Sequence, residues 1–112
     1  MAVSLKKDRY LKERGGAAKL VSVLCAKCGE RVLLYQKDGP GWLKRCYLNR
    51  IFEPEEYSKL QHDKKHRKVE ELPKLLCQNC KSVIGFPTRY KDGRIAYALI
   101  RSSFKRKTLR TL

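Results

Sequence analysis

No run of this chain approaches the roughly 20 consecutive apolar residues that a helical membrane span needs. The first residues also lack the apolar core of a secretion signal. The expectation is a cytoplasmic protein, in a reducing compartment where disulfides are rare. The residue sets that carry catalysis are missing too. There is no Ser/His/Asp combination and no glycine-rich phosphate loop, and histidine numbers only 2. The acidic pairs Glu55-Glu56 and Glu70-Glu71 read as helix-start and loop charges, not as a general acid and base. The chain is therefore expected to be no enzyme, with no small-molecule substrate and no membrane partner.

Acidic residues are the other shortage: 11 Asp and Glu face 27 Lys and Arg, a net charge of +16. The imbalance is uneven. Residues 53–71 hold six acids (Glu53, Glu55, Glu56, Asp63, Glu70, Glu71) against five bases, so the rest of the chain carries +17. Such an excess on so small a protein is the footprint of a polyanionic partner; solubility alone asks for less. RNA is the expected partner, ribosomal RNA first, with neighbouring ribosomal proteins beside it. Candidate phosphate contacts are Lys6, Lys7, Arg9, Lys12 and Arg14 near the start, Lys44 and Arg45 in the middle, and Arg101, Lys105, Arg106, Lys107 and Arg110 at the end. Trp42, Tyr47 and Tyr90 stand beside Lys44, Arg45, Arg89 and Lys91; they can stack on unpaired bases or serve packing alone. No helix sets Arg or Asn where successive bases are read in a major groove.

What the chain does have is cysteine in pairs. Cys25-Ala-Lys-Cys28 and Cys77-Gln-Asn-Cys80 are separated by 48 residues. Each Cys-x-x-Cys is a tight knuckle that aims two sulfurs at one point, and two knuckles complete the tetrahedral shell of one Zn²⁺. Four thiolates leave no open position for water or substrate, so the expected zinc is structural. The competing readings are two disulfides, which the expected compartment disfavours, and a thioredoxin-like redox site, which lacks its βαβ context. Cys46 is the odd thiol and reads as a small buried apolar residue. His62 and His66 have the i, i+4 spacing of helical metal ligands, but using them would strand one cysteine pair, and solvated histidines fit better.

Three regions follow: a basic N-terminal arm over 1–19, a zinc-binding β domain over 20–101 with a charged insert at 53–74, and a basic tail over 102–112. The arm could form a short helix ended by Gly15-Gly16. Strands are expected at 20–24, 32–35, 42–52, 83–86 and 95–100, and a short helix opens at Glu53-Pro54-Glu55-Glu56, with Pro54 at its first position. Lys37-Asp38-Gly39 and Lys91-Asp92-Gly93 both read as turns, which makes each half strand, knuckle, strand, turn, strand. The fold class is mainly β, a small α+β protein in which two knuckle-bearing hairpins are clasped by one four-cysteine site.

Over residues 20–101 this order of knuckle, hairpin, insert, knuckle, hairpin resembles the β-tent zinc fold. That fold occurs in Yippee proteins, the cereblon thalidomide-binding domain and the Mss-four-like chaperones; small zinc ribbons share the donor set. The resemblance rests on Cys25, Cys28, Cys77, Cys80 and the flanking strands, and it implies a structural zinc. Ligand-binding members use a cage of several Trp residues, and this chain has 1 Trp, so no ligand site is implied. It also implies an alternative function, a protein–protein adapter using the 42–52 face and the helix near 54–61.

Overall fold

The structure is a computed structural model that describes residues 5–13, 15, 17–62 and 68–111. It contains two four-stranded sheets around a shared core. The first runs β4-β2-β1-β8, from β1 (Ala18–Cys25), β2 (Arg31–Asp38), β4 (Ile51–Glu53) and β8 (Phe104–Thr111). The second runs β3-β7-β6-β5, from β3 (Arg45–Tyr47), β5 (Leu75–Leu76), β6 (Val83–Arg89) and β7 (Ile95–Leu99). All pairings are antiparallel, with Val21 opposite Tyr35 and Cys46 opposite Tyr97. The expected mainly β class, with two hairpins each carrying a knuckle, is present.

The two halves exchange strands. The first half keeps β1, β2 and β4 and sends β3 to the second sheet; the second half keeps β5, β6 and β7 and sends β8 to the first. The exchange departs from a strict pseudo-two-fold, since β8 flanks knuckle strand β1, whereas β3 flanks β7. The single strand expected over 42–52 is thus two short strands split by a 3-10 turn at Leu48–Arg50. The turn buries Leu48 and Arg50 as the chain crosses between sheets. Lys37-Asp38-Gly39 is no hairpin turn either. Lys37 and Asp38 lie within β2, opposite Lys19 and Ala18, and the Gly39 amide donates to Ala17 O at 2.7 Å. Lys91-Asp92-Gly93 does close the β6–β7 hairpin, with the Tyr90 amide on Arg94 O at 2.8 Å.

Described residues of both terminal segments belong to the fold. Residues 104–111, expected within a tail, form strand β8, which pairs with β1 along its length although nearly all its side chains face solvent. Backbone pairing, not apolar burial, holds it there. The arm contains helix α1 (Arg9–Glu13), capped by Asp8, whose Oδ1 accepts the Tyr10 and Leu11 amides at 3.1 and 3.2 Å. Leu11 is buried, and Arg50, 1% exposed, donates to Asp8 and Asp38, tying the arm to the core.

The core joins Val21, Val23, Leu33 and Ile51 to Leu75, Ile84 and the tyrosines. Each buried phenol finds a partner, as burial demands. Tyr97 donates to Pro73 O, Tyr57 accepts the Leu76 amide, and Tyr35 accepts the Tyr47 amide. Tyr57 sits on helix α2 (Glu55–Ser58), which follows Pro54 as its N-cap, one position earlier than expected.

Candidate metal centre and basic cleft

The two knuckles are built alike. In the first, the Cys25 amide donates to Glu30 O at 2.8 Å and the Gly29 amide to Cys25 O at 2.9 Å. In the second, the Cys77 amide donates to Ser82 O at 2.9 Å and the Lys81 amide to Cys77 O at 2.9 Å. Matching bonds at matching offsets give matching sulfur positions, so two separate hairpins deliver four sulfurs to one point. All four Sγ atoms lie within 4.8 Å of one another. Sulfurs approach one another across the hairpins, Cys25 to Cys80 at 3.6 Å and Cys28 to Cys77 at 3.5 Å.

Those distances test the metal reading. A disulfide needs sulfurs about 2.05 Å apart, and all five cysteines are free. Four sulfurs about 2.3 Å from one ion at tetrahedral corners stand roughly 3.8 Å apart, close to the spacing here. The cluster can therefore hold one metal ion, and its all-sulfur donor set suits zinc. Cys25 and Cys77 are buried, while Cys28 and Cys80 are partly exposed. The Ser82 hydroxyl and amide hold the Cys80 thiol down to about 6, and the Asn79 side chain lowers Cys28. Burial pushes Cys77 up to about 11. Two of the four sulfurs are thus shifted towards the thiolate form before any ion contributes.

Cys46 is fully buried in β3, away from the cluster, and burial raises its pKa far above the ordinary thiol value. His66 and the side chain of His62 lie outside the described residues. Among the described residues, the four cysteines form the sole group of three or more His, Cys, Asp or Glu able to hold an ion.

The expected phosphate contacts divide. Lys6 is engaged internally: its Nζ donates to Asn49 O and to Gln61 Oε1, and burial lowers its pKa. It is thereby removed from the candidate interface. Lys7, Arg9 and Lys12 are exposed, and Arg14 lies outside the described residues. Lys44, Arg101, Lys105, Arg106, Lys107 and Arg110 are exposed, and Arg45 is half-buried. Arg106 donates weakly to Gly41 O at 3.4 Å, which brings β8 to the rim of a cleft of about 400 Å³.

That cleft gathers residues that are dispersed in sequence. Trp42, Lys44, Arg45, Tyr47 and Tyr90 line it, joined by Lys37 and Arg94. Arg94 is the residue that sequence reasoning missed. Its guanidinium is stacked between Tyr10 at 3.8 Å and Tyr47 at 3.7 Å, and its Nε donates to Asp92 at 3.0 Å. Its place directly after the Lys-Asp-Gly turn was the available signal. Arg89 and Lys91 are absent from the lining; Arg89 donates to Gly93 O, and Lys91 lies over the Tyr90 ring.

No family model, no curated protein and no solved structure matches the chain. The geometry therefore supports a small mainly β protein with a four-cysteine metal site, and no relative supports the likeness to Yippee proteins or cereblon.

Proposed function

We propose that this chain is a zinc-locked scaffold that binds RNA through an exposed basic surface, in association with the ribosome. Zinc joins the two hairpins, and the protein performs no chemistry. The observation that carries the reading is strand β8. It presents Lys105, Arg106, Lys107 and Arg110 to solvent along one sheet edge and meets the cleft at Gly41. An edge strand crowded with cations resists pairing with another strand, and the same cations suit phosphates spaced along a chain. Arg101 extends the surface by stacking on Trp42 at 4.0 Å. Such a surface is indifferent to sequence and fits a large folded RNA, for which the ribosome is the abundant source.

The test is the salt dependence of RNA binding by the intact zinc-loaded chain. Each phosphate neutralised on a single strand adds about 0.7 to the slope of log affinity against log salt. Replacing Lys105 and Lys107 by Gln is expected to lower the slope by about 1.4 and to remove the chain from ribosomal fractions of a lysate. Binding that ignores salt would overturn the reading and favour a protein adapter. Deleting the first 19 residues is not a clean test, because it also strips Asp8 and Leu11 from the fold.

A further inference from the structure

We infer that the cleft is a stacking site for one unpaired nucleotide, with Trp42 as the platform for its base and Lys44 and Arg101 beside its phosphate. The inference rests on the RNA reading above and narrows it to single strands. Three properties of the cleft carry it.

The first is an aromatic ring that packing does not explain. Trp42 is 68% exposed, the most exposed large hydrophobic side chain described, although a buried position would normally be favoured for so large an apolar surface. The ring is nevertheless held in place, with the Arg101 guanidinium 4.0 Å from its centroid.

The second is that the neighbouring rings are backed in the same way. Arg45 lies 4.3 Å from the Tyr90 centroid and Arg94 lies 3.7 Å from that of Tyr47, and the two tyrosines meet edge to face. Rings fixed before binding lose little freedom when a ligand arrives. The cations stacked on them, which also line the cleft, favour a ligand that brings negative charge.

The third is the charge of the lining. Lys37, Lys44, Arg45 and Arg94 line it with one acid, Asp38, whose carboxylate is held by Arg50 at 2.9 Å and Gln36 at 2.8 Å; Asp92, outside the lining, bridges Arg94 at 3.0 Å, and an excess of cations remains. A polar, cationic lining disfavours an apolar small molecule. A space of about 400 Å³ lies at the small end of ligand pockets. It has room for one flat anionic group, whereas the bases of a duplex are stacked and paired out of reach. A nucleotide supplies both the π face and the phosphate, and the adjoining β8 can track the strand on either side.

The intact zinc-loaded chain is titrated with an oligouridylate and, separately, with an RNA duplex of the same length. Binding is followed by anisotropy of the labelled RNA and by fluorescence of Trp42, the single tryptophan of the chain. The single strand is expected to quench Trp42 and the duplex to leave it unchanged. Trp42→Ala and Tyr90→Ala are expected to weaken single-strand binding by about 5- to 150-fold and duplex binding by less than about two-fold, while Trp42→Phe restores most of the affinity. Zinc content and circular dichroism of the variants confirm folding; Trp42 is exposed enough to be replaced safely. Single-strand binding without quenching and without loss in either alanine variant would overturn the stacking site while leaving the RNA reading intact. No binding of either RNA at low salt would overturn the RNA reading itself. Polyglutamate that quenches Trp42 and displaces the single strand equally well would assign the cleft to an acidic peptide and overturn the proposal.

Discussion

Gly29 and Lys81 occupy the same corner of the two knuckles. Each donates its amide to the carbonyl of the cysteine four residues earlier, and each has a positive φ, 81° and 64°. The left-handed conformation costs an L-residue roughly 1–2 kcal/mol and glycine almost nothing. Lys81 is the one described non-glycine residue in that region of backbone space. Lys81→Gly is therefore expected to stabilise the zinc-loaded protein by up to about 1 kcal/mol, after the greater chain entropy of glycine is offset. Gly29→Ala is expected to cost about 1 kcal/mol, and through conformation alone, since a Cβ there would meet nothing within 4 Å. Denaturant unfolding at fixed free zinc measures both.

The knuckles were legible because their chemistry is local. Two sulfurs three residues apart need a tight turn, and each turn is closed by bonds within six residues. The Lys91-Asp92-Gly93 hairpin was legible for the same reason, with Gly93 at a φ of 92°. Lys37-Asp38-Gly39 carries the same letters but is held in β2 by pairing with residues 17–19, a tertiary effect no local window shows. Strand β8 was illegible because its signal is absent: Phe104–Thr111 has no buried side chain, so neither face has an apolar period. The folded arm was hidden in a similar way, since Asp8 and Lys6 look like solvated charges until Arg50, Asn49 and Gln61 are brought to them. Of the cleft, the aromatic and basic neighbours were visible in pairs, but their convergence depends on the strand exchange.

Removing the metal is expected to unfold the protein. Apparent zinc-linked folding energies in small metal-folded peptides are on the order of 10–16 kcal/mol, and here the ion would join two hairpins that belong to different sheets. With the ion bound, a thiol reagent is expected to find no fast-reacting cysteine, four being shielded by metal and Cys46 by full burial. A chelator is expected to release one zinc per chain and make all 5 cysteines reactive together. Cys77→Ser is expected to lose the metal. Native mass spectrometry with a thiol count checks each step; a single fast thiol in the loaded protein would show Cys46 to be reactive.

Gly85 is required for space. It lies in β6 between Leu75 of β5 and Leu99 of β7, and a Cβ added there would stand 2.6 Å from the carbonyl oxygen of Ala98. That atom is backbone, so the sheet itself must shift. Gly85→Ala is expected to cost about 1–3 kcal/mol, as overpacking does. Because β5 and β6 carry the second knuckle, the same variant is expected to bind zinc more weakly. Competition with a chromogenic chelator measures that loss, and unchanged zinc affinity would show the knuckle to be independent of the sheet behind it.

The buried guanidinium of Arg50 gives the fold a charge requirement in the acid range. Arg50 donates to both carboxylate oxygens of Asp8, at 2.9 and 2.6 Å, and to Asp38 at 2.9 Å. The hydrogen bond from Arg50 is the main reason the Asp8 carboxyl is held down at about 2. Its folded pKa lies below the ordinary value of about 3.9, so its stabilisation is complete above that value and is lost as pH falls towards about 2. Asp8→Asn keeps the helix cap, because an amide oxygen still accepts from Tyr10 and Leu11, but removes the charge. It is expected to cost about 1–2 kcal/mol at neutral pH, towards the low end for a charged hydrogen bond because Asp8 is 38% exposed. Loss of thiolate–metal bonds in acid affects both proteins alike, so the informative quantity is the stability gap between them. The gap is expected to be constant from pH 8 down to about 5 and to narrow below about 4. A gap that stays flat to the lowest pH at which both chains remain folded would mean that Asp38 alone neutralises Arg50, and that the N-terminal segment is held by Leu11 and Lys6 instead.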